Sequence, residues 1–171
     1  MELFQSVRYS PNIGTFRLFS QLTKSPVSIA TAQKMIQASH TLSIPIYATT
    51  QSLSRLGPLC SELFPANQPP FTIDKTAFSM MVPELRFALS SSSSHPYQVA
   101  LVGIETHICI TQTALDLIAE GHKVYVLADG VSSCNEGEVG IALRRLAKEG
   151  AVVTTSEGWL YECMGDADIP E

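Results

Sequence analysis

The sequence predicts an α/β protein, a parallel sheet with helices on both faces, and three observations carry that expectation. Short apolar runs alternate along the chain with longer segments whose apolar residues recur at helical spacing. One run, Val99 to Ile104, is uninterrupted, as a parallel strand covered on both faces requires. The segments between the runs carry a single apolar stripe each, the pattern of helices that pack by one side.

Ser25 followed by Pro26 reads as an N-cap with proline at the first helical position. Ile29, Ala32 and Ile36, with Met35, Ala38 and Leu42, continue that helix, which should stop near Ser43 because Pro45 disfavours helical geometry before it. Ile44 to Thr49 then reads as a buried strand, Phe71 to Ile73 as a short second one, and Val82 to Leu89 as a modest helix. The serine run Ser90 to Ser94, closed by His95 and Pro96, reads as a flexible surface loop. After the strand at 99–104 comes a helix with Ile110, Ala114, Leu117 and Ile118 on one face, ending at Gly121. Lys123 to Ala128 is a further strand. Asn135, with Glu138 three residues on, opens a helix whose stripe is Val139, Ala142, Leu143 and Leu146. Ala151 to Thr154 is a last strand and Ser156 to Met164 a last short helix.

At 171 residues the chain suits one domain, 1–171, with its own core. Hydrophobic residues make up 45% and charged residues 16%, which excludes a disordered chain. Eleven basic against sixteen acidic residues give a formal charge of -5, and no basic stripe stands out, so nucleic acid is not expected as a partner. The longest apolar runs, such as 124–128, are too short to cross a bilayer, and no membrane partner is expected. Met1 to Arg8 does not read as a signal peptide. Cys60, Cys109, Cys134 and Cys163 lack the paired spacing of zinc ligands or of a small disulfide scaffold, so they read as reduced thiols of an intracellular protein. The cytoplasm is the first expectation, with mitochondrion and peroxisome left open.

In parallel sheets ligands bind outside the carboxyl ends of the strands. Two segments bring reactive side chains there, 103–109 and 74–79. Cys109 lies at the start of the helix after strand 99–104, where backbone N–H groups and the helix dipole favour a thiolate. Lys75 follows the expected strand 71–73. An ammonium beside a thiol lowers its pKa and stabilises charge developing on a substrate oxygen. Taken singly, a cysteine in an apolar setting is an inert small hydrophobe and a lysine a solvated charge; Cys60, Cys134 and Cys163 keep the inert reading, Cys163 as core or dimer surface.

The stretch VGIETHICITQTALDLIAEGHKVYVLADGVSS resembles the nucleophile segment of the isochorismatase-like cysteine hydrolases, and DKTAFSMMVPEL resembles their lysine segment. SIPIYATTQSLSRLG is similar to their strand and loop between the two, and the resemblance runs from about Asn12 to the end. It implies a three-layer, Rossmann-like α/β/α fold and an Asp–Lys–Cys triad whose cysteine falls on Cys109 and whose lysine falls on Lys75. It also implies a cis peptide at Ile104–Glu105 that aims the backbone N–H groups of Glu105 and Cys109 at a substrate oxyanion. Gln51, Phe78 and Thr106 fall in the implied substrate pocket. The implied chemistry is covalent: the Cys109 thiolate adds to a carbonyl or amidine-like carbon, the leaving group departs, and water releases the acyl group.

The chain departs from the family at both ends. The family's aspartate closes its first strand, and MELFQSVRYSPNIGTF contains no such apolar run and aspartate, so the first strand is expected to be truncated. Alignment on Arg8 puts Glu2 near the acid position, as a possible substitute. The chain also stops at Glu171, before a C-terminal helix that relatives tend to have, so both ends read as shortened. His40, His95, His107 and His122 do not form the metal cluster of the nicotinamidases, so neither metal nor other cofactor is expected; His107 could line the pocket mouth. Family members that hydrolyse isochorismate tend to lack the cysteine, so its presence implies amide, ureide or related acyl substrates. Two functions follow. One is a metal-free hydrolase of a small C–N-bond substrate, forming a homo-oligomer as relatives often do; the other, motivated by the absent acid, is a non-catalytic homologue acting as a binding or oligomer partner. A third outcome is that the protein begins upstream and this chain does not fold alone.

Overall fold

The computed structural model describes residues 16–21, 26–63, 71–90 and 96–166. Six strands form one sheet: β1 (Phe16–Gln21), β2 (Ile46–Gln51), β3 (Thr72–Lys75), β4 (Gln98–Gly103), β5 (Lys123–Val131) and β6 (Val152–Thr154). Their order is β3-β2-β1-β4-β5-β6 and every pairing is parallel. The helices are α1 (Pro26–Thr41), α2 (Leu53–Leu56), α3 (Pro83–Ser90), α4 (Thr111–Ala119, entered through a π turn at Thr106–Ile110), α5 (Glu136–Lys148) and α6 (Ser156–Met164).

Alternation along the strands sorts the core into two layers. Val99 and Leu101 of β4, with Val124 and Val126 of β5, pack beneath Leu85 and Leu89 of α3, Ala114 and Leu117 of α4 and Leu146 of α5. Ala100, Val102, Tyr125 and Leu127 point the other way, onto Ala32, Met35 and Ile36 of α1 and Trp159 and Cys163 of α6. The result is the expected three-layer α/β/α arrangement. Helix boundaries follow the local signals: Asn135 caps α5 by accepting from the Gly137 N–H, and Thr155 caps α6 by accepting from Gly158.

The expected truncation of the first strand is corrected. The strand exists, at Phe16–Gln21, in the centre of the sheet: Leu18 aligns with Ile46 of β2, and Phe16 through Gln21 align with Gln98 through Gly103 of β4. A gap between β2 and β4 would leave two facing rows of backbone N–H and C=O groups unpaired, so the chain fills it with the residues next to hand. The filling strand reads FRLFSQ and contains no carboxylate. The serine run lies outside the described residues except for Ser90, which closes α3, and so do Ser25 and Glu2.

The strand order reverses direction between β1 and β4, and a crevice opens there at the carboxyl ends. Because Leu101 is fully buried in the layer under α3, α4 and α5, Leu101→Ala should cost about 2–5 kcal/mol. Urea unfolding of the variant checks this through a lower midpoint at an unchanged slope.

Candidate active site

The crevice is a cleft of about 350 Å³ beside Cys109, floored by the ends of β2 and β4. β2 contributes Thr49, Thr50 and Gln51. The turn around α2 contributes Leu56, Gly57, Pro58 and Leu59, Phe78 closes one side, and Ile104, Glu105 and Ile108 flank the cysteine. Gly57 ends α2 with φ 82, a conformation that only glycine adopts without strain, and so lets the chain turn along the rim.

Gly103, also at positive φ, ends β4, and the Ile104–Glu105 peptide that follows is cis. The chain then enters the π turn: the Ile110 N–H reaches back five residues to the Glu105 carbonyl at 3.2 Å, and Cys109 lies inside this turn with only 6% of its surface exposed. The β5–α5 loop clamps the turn from outside. Thr106 donates its backbone N–H to the Ser132 carbonyl (2.9 Å) and its hydroxyl to the same oxygen (2.8 Å). Cys134 donates its backbone N–H to Glu105 Oε2 at 2.6 Å.

Lys75, at the end of β3, is 4% exposed. Its Nζ donates to Gln51 Oε1 (2.7 Å), the Ala77 carbonyl (2.9 Å) and the Phe78 carbonyl (3.0 Å). Three acceptors match the three protons of an ammonium, whereas a neutral amine could fill only two. Burial pulls the Lys75 pKa down, and the charges of Cys109 and Asp74 push it back up. Burial likewise pushes the Cys109 thiol up; Lys75 and a hydrogen bond from the Glu105 backbone N–H pull it down, and the Glu105 carboxylate adds to the rise. The Glu105 N–H and Lys75 favour the thiolate as its position suggests, but the net direction for Cys109 is upward because desolvation outweighs them.

Of the residues expected in the site, Cys109, Gln51, Phe78 and Glu105 line the cleft, and Lys75 lies behind Gln51 and acts electrostatically on the thiol. Thr106 does not line it, being fully buried and turned to Ser132. His107 is also absent from the lining, with Nδ1 3.1 Å from Ser133 Oγ. Cys134 is exposed, so its reading as a small buried hydrophobe is corrected, and Cys163 is core. Among the described residues no three His, Cys, Asp or Glu side chains gather as metal ligands, and no helix is long and apolar enough to cross a membrane. Sequence reasoning missed Thr49 and Thr50. Their signal was two hydroxyls at the carboxyl end of an otherwise apolar strand. Thr50 donates to Asp74 Oδ1 at 2.7 Å, whereas the Thr49 hydroxyl is buried without a hydrogen-bond partner among the described residues.

Residues 18–158 match the isochorismatase domain. The chain belongs to the isochorismatase domain family. Among its relatives it is 38% identical to the secreted isochorismatase effector Isc1 of Phytophthora sojae, over 85% of this chain and 71% of that protein. It is 40% identical to isochorismatase domain-containing protein 2 of Xenopus laevis, over 85% and 70%. Against isochorismatase domain-containing protein 1 of Danio rerio the identity is 38%, and the chain spans only 50% of that longer protein. The solved structure of MAR1 ribonuclease from Caenorhabditis elegans superposes with a TM-score of 0.82 at 32% identity, covering 92% of this chain and 86% of that one. The YcaC gene product of Escherichia coli, an octameric hydrolase of unknown specificity, shares the fold at a TM-score of 0.72 and 21% identity, over 90% and 80%. An isochorismatase-family hydrolase fold is thus established for this chain.

Two predictions follow from the site's electrostatics and its unpaired hydroxyl. Lys75→Met removes the cation that lowers the Cys109 pKa, so the pH midpoint of Cys109 alkylation by iodoacetamide should rise further, as peptide-mapped rates against pH would record. Thr49→Val removes a buried hydroxyl without a partner among the described residues, so stability should stay level or rise by about 1 kcal/mol in urea unfolding.

Proposed function

We propose that this chain hydrolyses a C–N bond in a small amide-type substrate by covalent catalysis through Cys109. The observation that supports the reading best is the meeting of three groups at one cleft: a thiol, a buried ammonium acting on it, and the Glu105 N–H directed to the sulfur. In this reading Cys109 Sγ adds to the substrate carbonyl carbon. The N–H groups of Glu105 and Cys109 hold the oxyanion, and the field of Lys75 stabilises both the attacking sulfur and that oxyanion. The C–N bond breaks, and the nitrogen leaves as the amine with a proton taken from water, which balances the one released when the thiol ionised. Water then hydrolyses the thioester and restores the thiol.

Burial of the thiol disfavours its ionised form, so in this reading attack depends on the thiolate fraction. FRLFSQ offers no carboxylate at the end of the central strand to take the proton, and Glu2 lies outside the described residues. Turnover in this reading is therefore slow at neutral pH and rises as pH rises towards the thiol pKa. No RNA is assigned as substrate, because the chain carries a formal charge of -5. The chain is also read as intracellular and self-associating: its four cysteines are free, and Leu56, Phe87, Ile141 and Tyr161 expose large apolar side chains.

Cys109→Ala tests the reading. Over a panel of small amides it should lower turnover by about 10³-fold or more with an unchanged circular dichroism spectrum. Turnover retained in that variant would overturn the assignment.

A further inference from the structure

We propose that the cleft selects uncharged amides with an apolar acyl portion and rejects anions, with Glu105 as the selecting residue. The proposal rests on the reading of Cys109 as nucleophile. Away from the cysteine, the walls are Leu56, Pro58, Leu59, Phe78, Ile104 and Ile108, which suit an apolar body.

The polar groups then decide what the reactive end can be. Among the described residues the cation that acts on the cysteine is Lys75, and its three protons already go to Gln51 Oε1 and to the carbonyls of Ala77 and Phe78. It supplies a field but no donor for a substrate carboxylate. The Thr50 hydroxyl gives its proton to Asp74 Oδ1, which also accepts from the Leu53 N–H, so Thr50 faces a ligand with lone pairs and has a negative charge behind it. Glu105 is the carboxylate on the lining itself. Its Oε2 takes the Cys134 N–H at 2.6 Å, leaving Oε1 as an acceptor.

The Thr49 hydroxyl, 1% exposed and without a partner among the described residues, is a buried polar group on the cleft wall that a ligand could satisfy. An uncharged amide answers this set. Its oxygen goes to the N–H groups at Glu105 and Cys109, and its N–H groups go to acceptors at Thr49, Thr50 and Glu105. A carboxylate or phosphate entering the same cleft would lose its water, meet the charge of Glu105, and find no unspent charged donor among the described lining residues.

Two alkylating reagents of nearly equal size, iodoacetamide and iodoacetate, separate the neutral from the anionic case. Second-order rates at Cys109 are measured on the full chain by peptide mapping at one pH, and their ratio is compared with that for 2-mercaptoethanol. The ratio should favour iodoacetamide by about tenfold over the free-thiol reference. It should fall to within about threefold of that reference in Glu105→Gln, which keeps an acceptor for the Cys134 N–H. In the wild-type chain, added salt should narrow the ratio, an arm that needs no variant. A wild-type ratio equal to the reference, or one favouring iodoacetate, overturns the selection while leaving the nucleophile in place. Discrimination that survives in Glu105→Gln overturns the role of Glu105. If Cys109 reacts with neither reagent while the exposed Cys134 reacts with both, the nucleophile assignment fails, and the proposal with it.

Discussion

Thr106 gives both its backbone N–H and its hydroxyl to the carbonyl of Ser132, and this attachment anchors the turn that carries Cys109. Around it, the Ser132 N–H returns to the Gly103 carbonyl at 3.1 Å and the Cys134 N–H to Glu105. The chain leaving β4 is thereby fastened to the chain leaving β5 before either enters its helix. Cys109 needs that fastening. A five-residue π turn has few internal bonds of its own, and without an outer brace the position of the sulfur relative to the cleft would be poorly fixed. Further along, the Thr111 hydroxyl donates to the Thr106 carbonyl and the Thr113 hydroxyl to the Cys109 carbonyl, both at 2.7 Å, so the turn is tied down on its inner side as well.

Against this frame the electrostatics are a contest in which burial outweighs the neighbouring charges on both partners. Lys75 and Cys109 each lose hydration and shift towards their neutral forms, and each recovers part of that shift from the other. The three acceptors around Nζ keep the ammonium in place without spending a carboxylate on it. The lysine therefore remains a cation towards the cysteine rather than one partner of a closed ion pair. An acid at the end of the central strand would change this balance by accepting the thiol proton, and FRLFSQ does not supply one.

Much of this was legible in the sequence because it depends on local pattern. The uninterrupted run at 99–104 could only be a strand covered on both faces, and it appears as β4 at Gln98–Gly103. Ser156–Met164 appears with the boundaries its pattern gave. The positions of Cys109 and Lys75 followed from strand ends, which the topology brings to one edge of the sheet. The central strand was not legible, because FRLFSQ has neither strict alternation nor a continuous apolar run; its place is set by two neighbouring strands that need a partner. The thiol shift was not legible either, since local sequence shows the helix start but not how completely the folded chain covers the sulfur. The turning of Thr106 away from the cleft was not legible for the same reason: it depends on the clamp from Ser132.

The strand order also makes the sheet a ruler. Lys75 stands on β3 and the cysteine turn leaves β4, and β2 and β1 lie between them. Three interstrand steps separate their backbones by about 14 Å. That gap is bridged from both sides, by the long stem of a lysine and by a turn that carries Cys109 back over the strand ends. An aspartate or histidine on β3 would reach less far across the strand ends, so the width of the sheet favours a long side chain for a group on β3 that acts on the cysteine turn.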